Sequence, residues 1–209
     1  MSRAYTIRNV LDKKHNTFEL PETFREVFGQ PEKSGAWLVF GKDKNGKTWG
    51  TLLLSELFSK VVGERVLYIS AEQGISKSFK DAIIRAKLDP TNNNLHYVGY
   101  ITLEELYVRL KKRNAPSIVV IDNITFYLDE LKNGAVRTLL KKFPSTLFLF
   151  LAHEERGKPY TAVAVLIQKI AEIIIHVKGL TLIVSGRCPG GMLAIDDEKS
   201  NLYHGQNLN

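Results

Sequence analysis

The chain has 209 residues, 44% hydrophobic and 24% charged, a composition that suits a folded domain with its own core and excludes an intrinsically disordered chain. Its single cysteine, Cys188, excludes an intrachain disulfide and a thiolate zinc cage and points to a reducing, cytoplasmic setting, and no apolar run predicts a signal peptide or a membrane partner. A net charge of +7 and a pI near 9.4 favour polyanionic partners, because Lys and Arg release condensed counterions when they meet phosphates.

In chain order, residues 1–34 read as a lead-in that packs beside the main domain, with a helix over 21–28 in which Pro21 stands early and Gly29 is the stop. Residues 35–209 read as the domain itself. Short apolar runs at 36–40, 65–70, 95–99, 117–121 and 146–151 predict strands, and amphipathic stretches at 47–62, 77–87, 102–113 and 127–143 predict the helices between them. Five strands with four helical crossovers predict an α/β fold, a mainly parallel central sheet flanked by helices. Beyond residue 153 a helix at 162–171 leads into two β-rich runs, 172–177 and 180–185, around the Lys178-Gly179 turn. Further strand-like runs follow at 192–195 and 202–204, so the sheet should end in antiparallel strands or a hairpin. The tail at 206–209 should fray.

Between the first strand and the first helix of the domain stand Gly41, Lys42, Asp43, Lys44, Asn45, Gly46, Lys47 and Thr48, which satisfy G-x-x-x-x-G-K-[ST] at every fixed position. Glycines let backbone amides converge on an anion, and the helix that follows adds its positive pole. All eight residues are assigned to nucleotide phosphates, with Lys47 reaching the β- and γ-phosphates and Thr48 placing its hydroxyl on Mg2+. This predicts a P-loop nucleoside triphosphatase. The run 117–121 ends in Asp122, an acid that on its own would equally cap a helix but that beside a phosphate loop reads as the second Mg2+ contact.

More discriminating is Val66-Leu-Tyr-Ile-Ser-Ala-Glu72, where the strand after the phosphate-loop helix is followed closely by a glutamate. With this spacing the chain resembles the RecA/RadA/DnaB superfamily of P-loop ATPases over about residues 36–204. The resemblance implies ATP as the nucleotide and Glu72 as the general base that polarises the attacking water. It implies that His153, in Leu149-Phe-Leu-Ala-His153, senses the γ-phosphate. It also implies that Arg187, in Ile183-Val-Ser-Gly-Arg187-Cys-Pro-Gly-Gly191, is a finger reaching the nucleotide of a neighbouring subunit in a ring or filament. A solvated loop acid, a strand-capping histidine and a surface arginine are the plain readings of the same residues. The family's companion lysine, two positions before the arginine, is Ser185 here; Lys178 is an unsupported substitute, and the cationic pair stands incomplete.

In this family two loops near the subunit axis hold single-stranded DNA. They correspond here to 123–129 and 154–163, the second offering Arg156 and Lys158 for phosphates and Tyr160 for base stacking. The expectation is a homo-oligomeric RecA-like ATPase acting on single-stranded DNA in recombination or repair, resembling the single-domain forms of phages and mobile elements. Two alternatives stand beside it: a DnaB-like replicative helicase motor, suggested by the glycine-rich finger hairpin, and a nucleotide-switched regulatory or partner-loading ATPase that never grips DNA. A small kinase is disfavoured because no arginine-rich lid follows Asp122.

Overall fold

The computed structural model describes residues 4–205, so the tail expected to fray at 206–209 lies outside the described residues. The strands are β1 (Gly35–Gly41), β2 (Val66–Ser70), β3 (Leu95–Val98), β4 (Ile118–Asp122), β5 (Leu147–Glu155), β6 (Lys158–Pro159), β7 (Ile173–Lys178), β8 (Thr181–Gly186) and β9 (Gly191–Ala194). The helices are α1 (Ile7–Leu11), α2 (Glu22–Phe28), α3 (Lys47–Glu56), α4 (Lys77–Arg85), α5 (Leu103–Leu110), α6 (Leu128–Leu131), α7 (Ala135–Lys142), α8 (Ala162–Ile170) and α9 (Asp197–Gly205). Strands β3, β2, β4, β5, β1 and β7 lie parallel in that order, β8 and β9 continue the sheet antiparallel, and β6 folds back on β5.

The central strands are continuous apolar runs because both faces of the sheet are covered. On β1, Trp37 and Val39 point into a core shared with α2, α3 and α4, while Ala36, Leu38 and Phe40 point into a second core shared with α5, α6, α7 and α8. Period-2 alternation thus feeds two layers of helices from one strand. The lead-in packs into the first core: Phe28 stacks on Trp37 with centroids 5.3 Å apart, and Phe18 tilts against Phe58 at 4.8 Å. Lys33 reaches Glu64 at 2.7 Å, and Glu64 accepts from Ser117 at 2.6 Å, tying the lead-in to the edges of β2 and β4. Helix α1 buries no residue.

Three segments depart from the expected pattern. Residues 202–204, read as a strand, lie in α9, where Asp196 accepts the Lys199 amide and the Ser200 amide donates to the Asp196 carbonyl to start the helix. The helix expected over 127–143 follows a 3-10 turn (Ile124–Tyr127) and is split into α6 and α7 by Asn133 and Gly134, which take positive φ of 53° and 85°. The helix over 47–62 ends in a π turn, Leu57–Val61, in which the Val62 amide donates to the Leu57 carbonyl. Thr51, Ser55 and Ser59 each donate a hydroxyl to the carbonyl four residues back, a competition with the helical ladder that bends helices. Among the described residues no helix is long and apolar enough to cross a membrane.

Candidate active site

Ligands of open α/β sheets sit outside the carboxyl ends of the parallel strands, and here those ends bring the sequence-predicted groups together. The phosphate loop leaves β1 at Gly41, where a Cβ would stand 2.4 Å from the Val177 carbonyl oxygen, so no larger residue fits. It enters α3 at Gly46, which has φ +97° and would drive a Cβ to 2.6 Å from Leu180. These two glycines let the backbone turn tightly from β1 into α3, with the Asn45 amide donating to the Lys42 carbonyl at 3.4 Å inside the loop. Lys47 lies across the loop, donating at 2.9 Å to the carbonyls of both Gly41 and Lys42, with Asp43 at 3.5 Å.

Thr48 Oγ1 donates to Asp122 Oδ2 at 3.0 Å, which joins the start of α3 to the end of β4. A hydroxyl and a carboxylate are hard oxygen donors, and Mg2+ is held by one or two such groups together with waters and phosphates. Thr48 and Asp122 are such a donor set and fit Mg2+. Tyr68, fully buried on β2, donates its hydroxyl to the same Asp122 oxygen at 2.6 Å. Burial pushes the Asp122 carboxyl above its ordinary value, and the donors Tyr68 and Thr48 counter that only in part. The Tyr68 phenol is itself pushed up, first by burial and then by the Asp122 charge.

Glu72, just beyond β2, and His153, on β5, meet at Asn123. The Asn123 amide donates to Glu72 Oε2 at 3.2 Å and also contacts His153 Nε2, while its carbonyl oxygen accepts from both the amide and the hydroxyl of Thr125. His153 Nδ1 lies 2.5 Å from Asp43 Oδ1 in the phosphate loop. Burial raises the Asp43 carboxyl, but His153 and Lys47 outweigh it and hold the group below the usual carboxylate range. Lys47, Thr48, Glu72, Asp122 and His153 line one cavity of about 620 Å³, together with Asp43, Lys44 and Gly46 of the loop. Trp49 and Lys199 line the same cavity, with the Lys199 ammonium 5.4 Å from the centre of the Trp49 ring. Lys42 and Asn45 line a separate hollow on the loop's other side.

Arg187 is not in this cavity. It follows β8, whose last residue Gly186 pairs with Ile173, whereas Gly41 pairs with Val177 at the other end of β7. Four residues of strand, roughly 13 Å, separate those positions. The side chain is exposed and donates to both carboxylate oxygens of Glu172, at 3.2 and 3.3 Å. Lys178 ends β7 at the phosphate-loop side, so within one chain the two cations stand at opposite ends of the sheet.

The two expected DNA loops differ in form. Segment 123–129 folds onto the body, with Asn123, Ile124 and Tyr127 buried and Phe126 exposed. Segment 154–163 is a tight hairpin of β5 and β6, turned by Arg156 and Gly157 at φ 52° and 78°. Arg156, Lys158 and Tyr160 line a shallow hollow of about 310 Å³ there, and Tyr160 is 64% exposed. Tyr68 and Asn123 escaped the sequence reading. A polar residue next to the Asp122 strand end was the one available sign of Asn123, and Tyr68 carried none.

No protein-family model matches the chain. Over 116 residues, 56% of the chain, it is 28% identical to the RNA replication polyprotein of Blueberry scorch virus, of whose length it spans about 5%. Among solved structures, it resembles a KaiC-like protein from Pyrococcus horikoshii at TM-score 0.56 and 17% identity, covering 82% of this chain and 85% of that one. It also resembles the flagellar accessory protein FlaH from Methanocaldococcus jannaschii at TM-score 0.60 and 14% identity, covering 85% and 91%. The fold is RecA-like: a mostly parallel sheet between helical layers, ending in antiparallel strands.

Proposed function

We propose that the chain is a Mg2+-dependent ATPase that acts on single-stranded DNA in recombination or repair, as a ring or filament of identical subunits. The observation that carries it is the convergence of Lys47, Glu72, Asp122 and His153 on one cavity from α3, the turn after β2, β4 and β5. In this reading the loop amides and Lys47 hold the triphosphate and neutralise charge that builds on it. Thr48 and Asp122 hold Mg2+, which when bound supplies further charge neutralisation at the phosphates. Glu72 orients the attacking water and takes its proton, and Asn123 fixes the carboxylate that does so. Because the same amide touches His153, a change at the sensing end is felt directly at the base.

Arg187 lies too far down its own sheet to reach this cavity, so its proposed role is toward a nucleotide held by another copy. Release from Glu172 frees it for that contact. The single-strand part of the proposal rests on the β5–β6 hairpin, whose cations and exposed ring suit phosphates and a stacked base. The folded-down segment 123–129 favours a second reading, a nucleotide-switched regulatory ATPase that does not grip DNA.

Phosphate release measured with and without single-stranded DNA, at several protein concentrations, separates these. The proposal expects stimulation by the strand and a specific activity that rises with concentration. A flat response at low salt moves the assignment to the second reading. A parallel arm with single-stranded RNA is warranted by the viral RNA replication relative.

A further inference from the structure

The β5–β6 hairpin, the end of β7 and the outer side of the phosphate loop enclose a hollow of about 270 Å³, several times the roughly 30 Å³ share of a water molecule. Three cations line it: Lys42 from the loop, Arg156 from the hairpin turn and Lys178 from β7. None of their side chains has an acidic partner among the described residues. One carboxylate, Glu154, lines the hollow with them, facing His176 Nε2 at 2.6 Å and accepting the Gly157 amide at 3.1 Å, both partners being part of the same lining. Three cations against one carboxylate leave the hollow net positive, and an anion relieves the repulsion among them while its counterions are released.

We propose that this hollow binds a backbone phosphate of the single strand and couples the strand to the phosphate loop. The proposal rests on the single-strand reading above and adds a site to it. Arg156 lines both this hollow and the neighbouring one, where Lys158 and Tyr160 stand with the acid Glu155, so the two hollows adjoin at a shared cation. A free phosphate would engage one hollow; a polymer engages both. Coupling follows from bonding already present. The Lys42 carbonyl accepts Lys47 Nζ at 2.9 Å, so a pull on Lys42 reaches the lysine of the nucleotide site. Glu154 is the next residue after His153 on β5, and its partner His176 stacks face to face on Phe40 at 4.5 Å, one residue before Gly41.

The test uses the full chain and fluorescein-labelled oligothymidylate, with anisotropy titrations repeated over a range of salt. Lys178→Glu should bind more weakly than the parent, with a log–log salt slope shallower by about 0.7, the value for one lost contact on a single strand. It should keep ATP binding and strand-free hydrolysis while losing strand stimulation, and Lys178→Arg should restore all three strand readouts. Thermal melts of the variants confirm that the fold is kept. Parental affinity and slope in Lys178→Glu, with binding lost in Tyr160→Ala, overturns the hollow and leaves the hairpin surface standing. Weakened ATP binding with oligothymidylate binding intact assigns the hollow to the nucleotide and overturns the proposal. If the parent itself ignores oligothymidylate at low salt, the single-strand reading fails and the hollow's role fails with it.

Discussion

Asp122 is a carboxylate taken out of water, and the groups around it decide whether it can hold a metal. Removing an ion from water costs several kcal/mol even after relaxation, and Thr48 and Tyr68 offset part of that by donating to one oxygen. Tyr68→Phe keeps the ring in its core and removes one donor. Mg2+ titrations of ATP hydrolysis should then show an apparent affinity about tenfold weaker, as for other partners of metal ligands; an unchanged titration would show that Thr48 suffices. Asn123→Ala should lower kcat while sparing ATP affinity, because the amide holds the base and not the phosphates. Of the groups that touch substrate in this account, Lys47, Thr48 and Asp122 were legible from the phosphate-loop motif and the acid that ends the 117–121 run, whereas Glu72 and His153 were legible only through the family resemblance. Tyr68 was not. Its partner lies 54 residues away, and strand alternation marks it simply as a core ring.

At the scale of elements, the lead-in is held by the Glu64 carboxylate as well as by aromatic packing. Burial opposes its ionisation, but Lys33 and Ser117 donate to it and the Lys33 charge attracts it, so it sits below the usual glutamate range. A lowered carboxylate stabilises the fold above its unfolded value near 4.5 and loses that contribution as pH falls through the folded value. Glu64→Gln should therefore cost about 1 kcal/mol in urea denaturation near neutrality, after allowance for solvent screening of this pair, and less below about pH 4. Helix α3 carries Trp49 into the nucleotide cavity, whereas Trp37 is fully buried in the core. ATP should change the tryptophan emission, and Trp49→Phe should remove that response and leave the Trp37 signal. The strands were legible because buried parallel strands are unbroken apolar runs. The break at Asn133-Gly134 was missed because helical periodicity continues across it, and α9 because three residues are too few to tell a strand from a helical turn.

For the whole molecule, the two ends of the sheet carry different groups. The nucleotide cavity lies at the carboxyl ends of the parallel strands, and Arg187 lies at the other, so in this account catalysis is completed between copies. Mixing Arg187→Ala chains, which keep the cavity, with Lys47→Ala chains, which keep the arginine, should give more hydrolysis than either variant alone. No gain on mixing would confine Arg187 to its pairing with Glu172. All of this depends on the cavity being hydrolytic. The most direct measurement is Mg2+-dependent phosphate release by the parent and by Glu72→Gln, with ATP binding followed in both. The account predicts equal binding and a loss of about 100-fold or more in turnover; equal turnover, or no release by the parent under any condition of strand and concentration, would contradict it.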